Sequence, residues 1–263
     1  MRNQLAFVLL AATGLLPAGC SRPVDSEARG AGYTGILAPR APAFLSGPMA
    51  VLLTNSNGYS ASVDAQADAI NERDRSVSGQ LTCRGPQLFF NPDSNGASQK
   101  RGRGGGFSFI WNVDGNSGYV LSESLQAYAP ITASGRATNV VTQPVEAVPE
   151  KIAGHLCFAQ SATVRMNNGS SASFQVMRAT DLNGIALQLS AATNEVPLTV
   201  TLSKPVLKQP PAEIFAVPDG FTKYPTPEAM ADELVARQHN LRRKYPTELQ
   251  PLPPGPPGMA PRY

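Results

Sequence analysis

The chain has 263 residues, with 24 prolines, 23 glycines, 16% charged residues and a formal net charge of +3. This low and balanced charge argues against a nucleic-acid-binding protein, because phosphate binding needs a concentrated basic surface. The nearest basic stretch, KRGRGGG at residues 100–106, has no aromatic residue and is typical of a solvated loop, with contact to phosphate or anionic lipid as its alternative.

The start of the chain predicts an export signal. Arg2 supplies a positive charge, and the apolar run at residues 5–16 has the length of a secretory signal core and is too short to span a bilayer as a helix. Small residues follow this run and lead directly to Cys20. We therefore expect residues 1–19 to be a signal peptide that is removed from the mature protein.

The junction at Cys20 resembles the lipobox of bacterial lipoproteins, with Pro17 in the position where leucine is usual. The resemblance implies that Cys20 is acylated and anchors the chain to a membrane of the cell envelope, since several acyl chains on one residue hold a protein stably. Ser21 resembles the residue that follows the cysteine in lipoproteins retained in the outer membrane, where the protein would face the periplasm. The alternative is a secreted protein whose Cys20 is removed or free.

Both ends of the mature chain are predicted to be disordered. Residues 20–43 lack hydrophobic periodicity and predict a flexible tether. Residues 246–263 are too rich in proline for helix or sheet and predict an extended tail. GAGYTG at residues 30–35 satisfies the dinucleotide-binding pattern but lacks the strand before it and the helix after it, so we expect no cofactor there.

Residues 44–224 predict an antiparallel β domain. A hairpin is expected about Asn57–Gly58, a pair of strands broken at residues 84–86, and a further hairpin that begins with Phe107, Phe109 and Trp111 in alternation. Further strands are expected at residues 138–147, 154–166, 171–180, 184–190 and 195–206. Regularly spaced strands with turns between them indicate an antiparallel sheet, open or closed as a barrel.

Residues 225–245 predict the one convincing helix. Thr226 is a suitable cap and Pro227 takes the favoured first position, while basic residues crowd the other end. Met230, Leu234 and Leu241 supply a modest apolar stripe. We expect this helix to dock on the sheet or plug its mouth, with contact to a membrane surface as the alternative.

Three cysteines fit an exported protein, because Cys20 takes lipid and Cys83 and Cys157 remain as a pair. We expect these two to form a disulfide, which would add roughly 4 kcal/mol in the chain-entropy model. Two alternatives remain open. They are two buried free thiols, or a thiol at Cys157 that pairs with His155 for catalysis.

Catalytic and metal-binding patterns are otherwise missing from the sequence. The chain has two histidines, His155 and His239, too few for a multi-histidine metal site, and none of the common nucleophile, phosphate-binding or zinc motifs is present. The densest carboxylates are interpreted as a polar loop, with a weak cation site as the alternative: Asp64, Asp68, Glu72 and Asp74. We therefore expect a protein that is not an enzyme and has no cofactor and no metal.

The second half of the chain resembles lipoprotein-carrier-like proteins of the LolA and LolB type over roughly residues 107–224. Two groups of residues carry the resemblance: Ala179, Asp181, Leu182, Gly184 and Leu187, and then Phe215, Pro218, Gly220 and Phe221. Ala186 stands where that pattern has a proline. The resemblance implies a half-open antiparallel barrel with an apolar concave face that helix or loop covers.

Such a cup holds acyl chains through an apolar lining alone, because burial of one CH2 group contributes about 0.8 kcal/mol. The lining candidates are Phe107, Phe109, Trp111, Ile185, Leu187, Leu189, Val196, Leu198, Val200 and Leu202. The resemblance therefore implies a lipid-anchored envelope protein that binds a lipid or acyl chain. Two alternatives are that these residues fill a closed core, and that the protein is an adaptor that binds another envelope protein through its helix or its proline-rich tail.

Overall fold

The structure is a computed structural model that describes residues 39–67, 75–93, 106–133, 135–191 and 198–244. Its three α-helices within these ranges are α1 (Ala43–Ser46), α2 (Ala50–Leu53) and α3 (Pro227–Lys244). The strands are β1 (Asn55–Ala67), β2 (Arg75–Gly85), β3 (Gln87–Pro92), β4 (Phe107–Asn112), β5 (Ser117–Ser122), β6 (Ala127–Thr132), β7 (Ala137–Pro144), β8 (Glu150–Ile152), β9 (His155–Met166), β10 (Ser171–Ala179), β11 (Ile185–Ala191), β12 (Leu198–Val206) and β13 (Thr222–Lys223).

All of these strands join in one sheet. Its order is β13-β6-β5-β4-β3-β2-β1-β12-β11-β10-β9-β7, and β8 pairs with the first residues of β9. Every pairing is antiparallel except that of β13 with β6. The two ends of the sheet, β13 and β7, do not pair with each other among the described residues. The predicted fold class, a mainly β, half-open antiparallel barrel with one C-terminal helix, is confirmed.

Side chains along the strands alternate between a buried face and an exposed face of the sheet. In β1, Val63 and Ala65 are buried while Asp64 and Gln66 are exposed, which is the period of two that a half-buried strand requires. The predicted break at residues 84–86 is confirmed, because Gly85 has φ +57° and turns β2 into β3.

The hairpin predicted about Asn57–Gly58 is wrong. β1 runs through both residues as one strand, and the register against β2 shifts between Asn55 and Tyr59. Gly58 lies within this register shift and has φ +71°, a conformation that favours glycine. A Cβ at this position would lie 3.1 Å from the carbonyl oxygen of Cys83. The apolar residues before it form α2 instead of a strand.

The predicted C-terminal helix is confirmed as α3. The backbone N–H of Ala229 donates to Oγ1 of Thr226 at 3.2 Å, which is the expected cap. Met230 and Leu234 are buried in the main core, and the helix packs against β6. The predicted docking of this helix on the sheet is therefore confirmed.

Candidate binding cup and its flanking clefts

One apolar cluster joins buried side chains from ten strands, β1 to β6 and β9 to β12, with α1, α2 and α3. A flat sheet of ten strands would be about 45 Å wide. The two short helices that reach into the cluster lie within the 11 residues 43–53, which span only about 20 Å in a largely helical conformation. In addition, β6 and β7 lie near opposite ends of the strand order but are joined by residues 133–136 alone, a connection too short for a flat sheet. The sheet therefore curls, and we call the face that carries the apolar cluster the cup.

The predicted lining residues within the described ranges share this inner face. Seven of them are at most 4% exposed: Phe109, Trp111, Ile185, Leu187, Leu189, Val200 and Leu202. Phe107 and Leu198 are half-buried and pack against the same cluster. Val196 lies outside the described residues. These residues therefore share one apolar face of the sheet, and other parts of the chain cover that face.

Residues 43–53, which we call the plug, are the main cover of the cup. Their five large buried side chains are each at most 2% exposed: Phe44, Leu45, Met49, Leu52 and Leu53. The ring of Phe44 meets the ring of Phe90 edge to face with centroids 5.2 Å apart. The hydroxyl of Tyr59 donates to the carbonyl oxygen of Leu53 at 2.7 Å. The plug was not predicted from the sequence, although the apolar run MAVLL was its signal.

Two clefts flank the plug at Ser46, which lines both of them. The rim cleft has a volume of about 430 Å³ and lies between residues 39–41, the β6 residues 130–132, Trp111, and residues 226–228 at the start of α3. The side cleft has a volume of about 190 Å³ and reaches toward the turn between β9 and β10. Packing around the plug is therefore incomplete at this rim, whereas the large plug side chains themselves are buried in the core cluster.

The disulfide predicted between Cys83 and Cys157 is not formed. Both thiols are free and buried. In the sheet order, β1, β12, β11 and β10 separate β2 from β9. Sγ of Cys83 is directed to the carbonyl oxygens of Asn55 and Gly85 at 3.7 and 3.6 Å, and Sγ of Cys157 to that of His155 at 3.6 Å. Each thiol therefore donates to backbone near its own strand, and the alternative of two buried free thiols describes the structure.

Both thiol environments work against nucleophilic chemistry. Burial raises the pKa of the Cys83 thiol to about 11, and burial likewise raises the pKa of Cys157. A reactive cysteine needs the opposite, a lowered pKa in a polar and accessible place. The Cys83 and Cys157 side chains therefore act as small apolar residues of the core.

His155 pairs with a carboxylate and not with the thiol. Its Nδ1 lies 2.7 Å from Oδ2 of Asp181, in the turn between β10 and β11. Asp181 is exposed, and His155 is half-buried. The contact of Cys157 with this histidine is made to the backbone oxygen. The predicted alternative of a catalytic thiol–imidazole pair is therefore not formed in this arrangement.

Several sequence predictions concern parts of the chain outside the described residues. These are the signal peptide and Cys20, residues 20–38 of the tether with GAGYTG, residues 100–105 of the basic loop, three of the four clustered carboxylates (Asp68, Glu72 and Asp74) and the proline-rich tail. Asp64 is described, and it is exposed on β1. The described ranges contain no group of three or more metal-ligating side chains. Nor does any helix in these ranges have the length and apolar character to cross a membrane.

Comparisons with known proteins gave similar solved structures only. No family model and no curated protein matches the chain. A LolA superfamily protein from Nitrosomonas europaea is similar with 11% identity and a TM-score of 0.38, over 67% of this chain and 98% of that one. An outer membrane lipoprotein-sorting protein domain from Vibrio parahaemolyticus is similar with 9% identity and a TM-score of 0.35, over 60% and 88%. The structure of PNGF-II is similar with 11% identity and a TM-score of 0.33, over 69% and 33%.

Proposed function

We propose that this protein is a lipid-anchored cell-envelope protein that binds an acyl chain in its cup and has no catalytic role. One observation carries the proposal: the sheet stays open, and a short segment of the chain's own apolar side chains fills its inner face. The plug offers to the sheet the same kind of surface that an acyl chain offers. An acyl chain that replaced the plug would find an apolar lining already in place.

The energies support an exchange between plug and ligand. Full burial of a 16-carbon chain contributes about 12 kcal/mol. Burial of the five large plug side chains contributes roughly 8–15 kcal/mol on the same scale. Because the two contributions are similar, the free energies of the plug-filled and the ligand-filled cup differ little. The proposal therefore requires the plug to withdraw when the ligand enters.

Binding of an acyl chain is tested by titration of the full-length protein with a polyene fatty acid such as cis-parinaric acid. Trp111, the single tryptophan, lies in the cup wall at 1% exposure, so a chain bound there accepts its excitation energy. We expect saturable quenching of Trp111 emission at one fatty acid per protein. Fatty acid that binds without quenching Trp111, or that does not bind, would contradict the proposal.

The anchor is tested separately in a host that attaches lipid to exported proteins. We expect radioactive palmitate to label the chain, and Cys20→Ser to abolish the label. The control is Cys83→Ser, which removes a buried thiol and keeps Cys20. A Cys20→Ser chain that still carries label would refute the anchor and leave the fatty-acid test unaffected.

A further inference from the structure

The rim cleft is a second place where a ligand fits. Its volume of about 430 Å³ lies in the range of small-molecule pockets, which is about 300–1,000 Å³. It lies open beside the plug, whose large side chains are buried in the cup. Trp111 lines both the rim cleft and the cup. A molecule in the cleft would therefore lie directly against one end of the acyl-chain lining.

Two opposite charges line the rim cleft from different segments. Arg40 lies just before α1, and Glu228 lies in the first turn of α3. Both side chains are exposed. The ion pairs among the described residues are those of His155 with Asp181 and of Arg237 with Glu233. Arg40 and Glu228 are therefore not paired with each other or with any other side chain of the described residues.

The position of Glu228 is fixed by the start of the helix. Oγ1 of Thr226 accepts from the backbone of Ala229, and the backbone N–H of Met230 donates to the carbonyl oxygen of Thr226 at 3.3 Å. The lining of the cleft also includes the apolar residues Pro130 and Ile131 of β6. The cleft thus presents a cation, an anion and an apolar surface that leads toward the cup.

We propose that the rim cleft binds the head group of a zwitterionic phospholipid, with its phosphate at Arg40 and its amine at Glu228. A purely anionic head group would be repelled by the carboxylate of Glu228, and a purely cationic one by the guanidinium of Arg40. Such like-charge contacts oppose binding. The acyl part runs over Ile131 toward Trp111. This inference rests on the proposed function for the destination of the chain, and it adds the class of lipid.

The test measures binding of monomeric dihexanoyl phosphatidylethanolamine to the full chain by titration calorimetry. Dihexanoyl phosphatidylglycerol serves as the anionic probe, and phosphoethanolamine as the head group alone. We expect at least a fivefold preference for the zwitterionic lipid over the anionic one, and at least tenfold weaker binding of the head group alone. Equal affinities for the two lipids would overturn the inference, and equal affinity for phosphoethanolamine would overturn its assignment to a lipid.

Variants assign the effect to the two charges. Glu228→Gln should abolish the preference by weakening the zwitterionic lipid, and Arg40→Ala should weaken both lipids at least tenfold. Arg237→Ala is the matched control, since this arginine is exposed on the same helix and pairs with Glu233 outside the cleft. A preference that survives in Glu228→Gln would overturn the inference.

The fatty-acid titration separates this inference from the proposed function. Quenching of Trp111 by cis-parinaric acid together with equal affinity for the two lipids would leave the cup proposal standing and refute the head-group site. A charge-dependent lipid preference without any fatty-acid binding would support the head-group site and refute the cup proposal.

Discussion

Trp111 packs in the cup wall against a glycine on the neighbouring strand. Gly118 of β5 pairs with Trp111 of β4. A Cβ at Gly118 would overlap the carbonyl oxygen of Ile110 and lie 2.9 Å from the Trp111 ring. The absence of a side chain at this position therefore sets how closely the two strands and the indole pack.

Gly118→Ala should lower the free energy of unfolding by about 3 kcal/mol, because the extra methyl group overpacks a filled site. The control is Gly106→Ala, where an added Cβ meets no atom within 4 Å and the expected change is within about 0.5 kcal/mol. Urea unfolding followed by Trp111 emission measures both variants. Equal stabilities of the two variants would contradict the packing described for Trp111.

Cys83 gives a prediction about alkaline pH. Burial raises the pKa of this thiol from its ordinary value of 9.0 to about 11. Because the folded state favours the protonated thiol, its contribution to stability is complete below about pH 9 and is lost as the pH rises to about 11.

Between pH 7.5 and 10.5 the free energy of unfolding should fall in both Cys83→Ala and the unaltered protein. We expect the fall to be about 2 kcal/mol smaller in Cys83→Ala, which lacks the thiol. Urea unfolding at the two pH values measures the difference. Identical pH dependence of the two proteins would refute the burial of this thiol.

The disulfide predicted between the two cysteines was wrong, because the sequence does not show where each cysteine lies in the sheet. An exported chain with an even pair favours a disulfide on composition. Whether Cys83 and Cys157 meet depends on how many strands separate β2 from β9, which only the order of the whole sheet decides. The same limit applies to His155, whose partner Asp181 comes from a turn 26 residues away.

At the level of elements, the plug is the part that sequence patterns predicted least. MAVLL is a short continuous apolar run, and periodicity cannot distinguish a buried strand from a buried helix in so few residues. The Asn-Gly pair that follows favoured a hairpin. By contrast, α3 and the strands from β9 to β11 were predictable, because caps, turns and alternation all agree there.

Leu45→Ala gives the most specific prediction about the plug. Truncation of this fully buried residue should lower the free energy of unfolding by about 3 kcal/mol. If plug and ligand compete, the same change should tighten fatty-acid binding at least tenfold, because withdrawal of the plug then costs less.

The matched control is Leu189→Ala in β11, which is also fully buried but belongs to the cup wall. It should lose a similar free energy of unfolding without any gain in fatty-acid affinity. Urea unfolding and the Trp111 quenching titration provide the two measurements. Tighter binding in both variants, or in neither, would argue against competition between plug and ligand.

At the scale of the whole molecule, the described sheet has two unpaired edge strands and an inner face that other segments cover. β7 and β13 leave the sheet open, while the plug and α3 bring apolar side chains to its inner face. Strand alternation and turns predicted an antiparallel sheet, and the second-half resemblance implied that it is half-open with an apolar lining. It did not predict the occupant, because the plug lies before the region of resemblance and its burial depends on tertiary packing.

The central claim, that acyl chains bind where the plug now lies, is tested most directly by holding the plug in place. Ser46 of the plug and Ser171 of β10 both line the side cleft, so Ser46→Cys/Ser171→Cys introduces two near-isosteric thiols that a short bis-maleimide can join. Fatty-acid quenching of Trp111 should persist in this double variant before cross-linking and fall at least tenfold in affinity afterwards. Undiminished binding by the cross-linked protein would show that the chain binds elsewhere and would contradict the account.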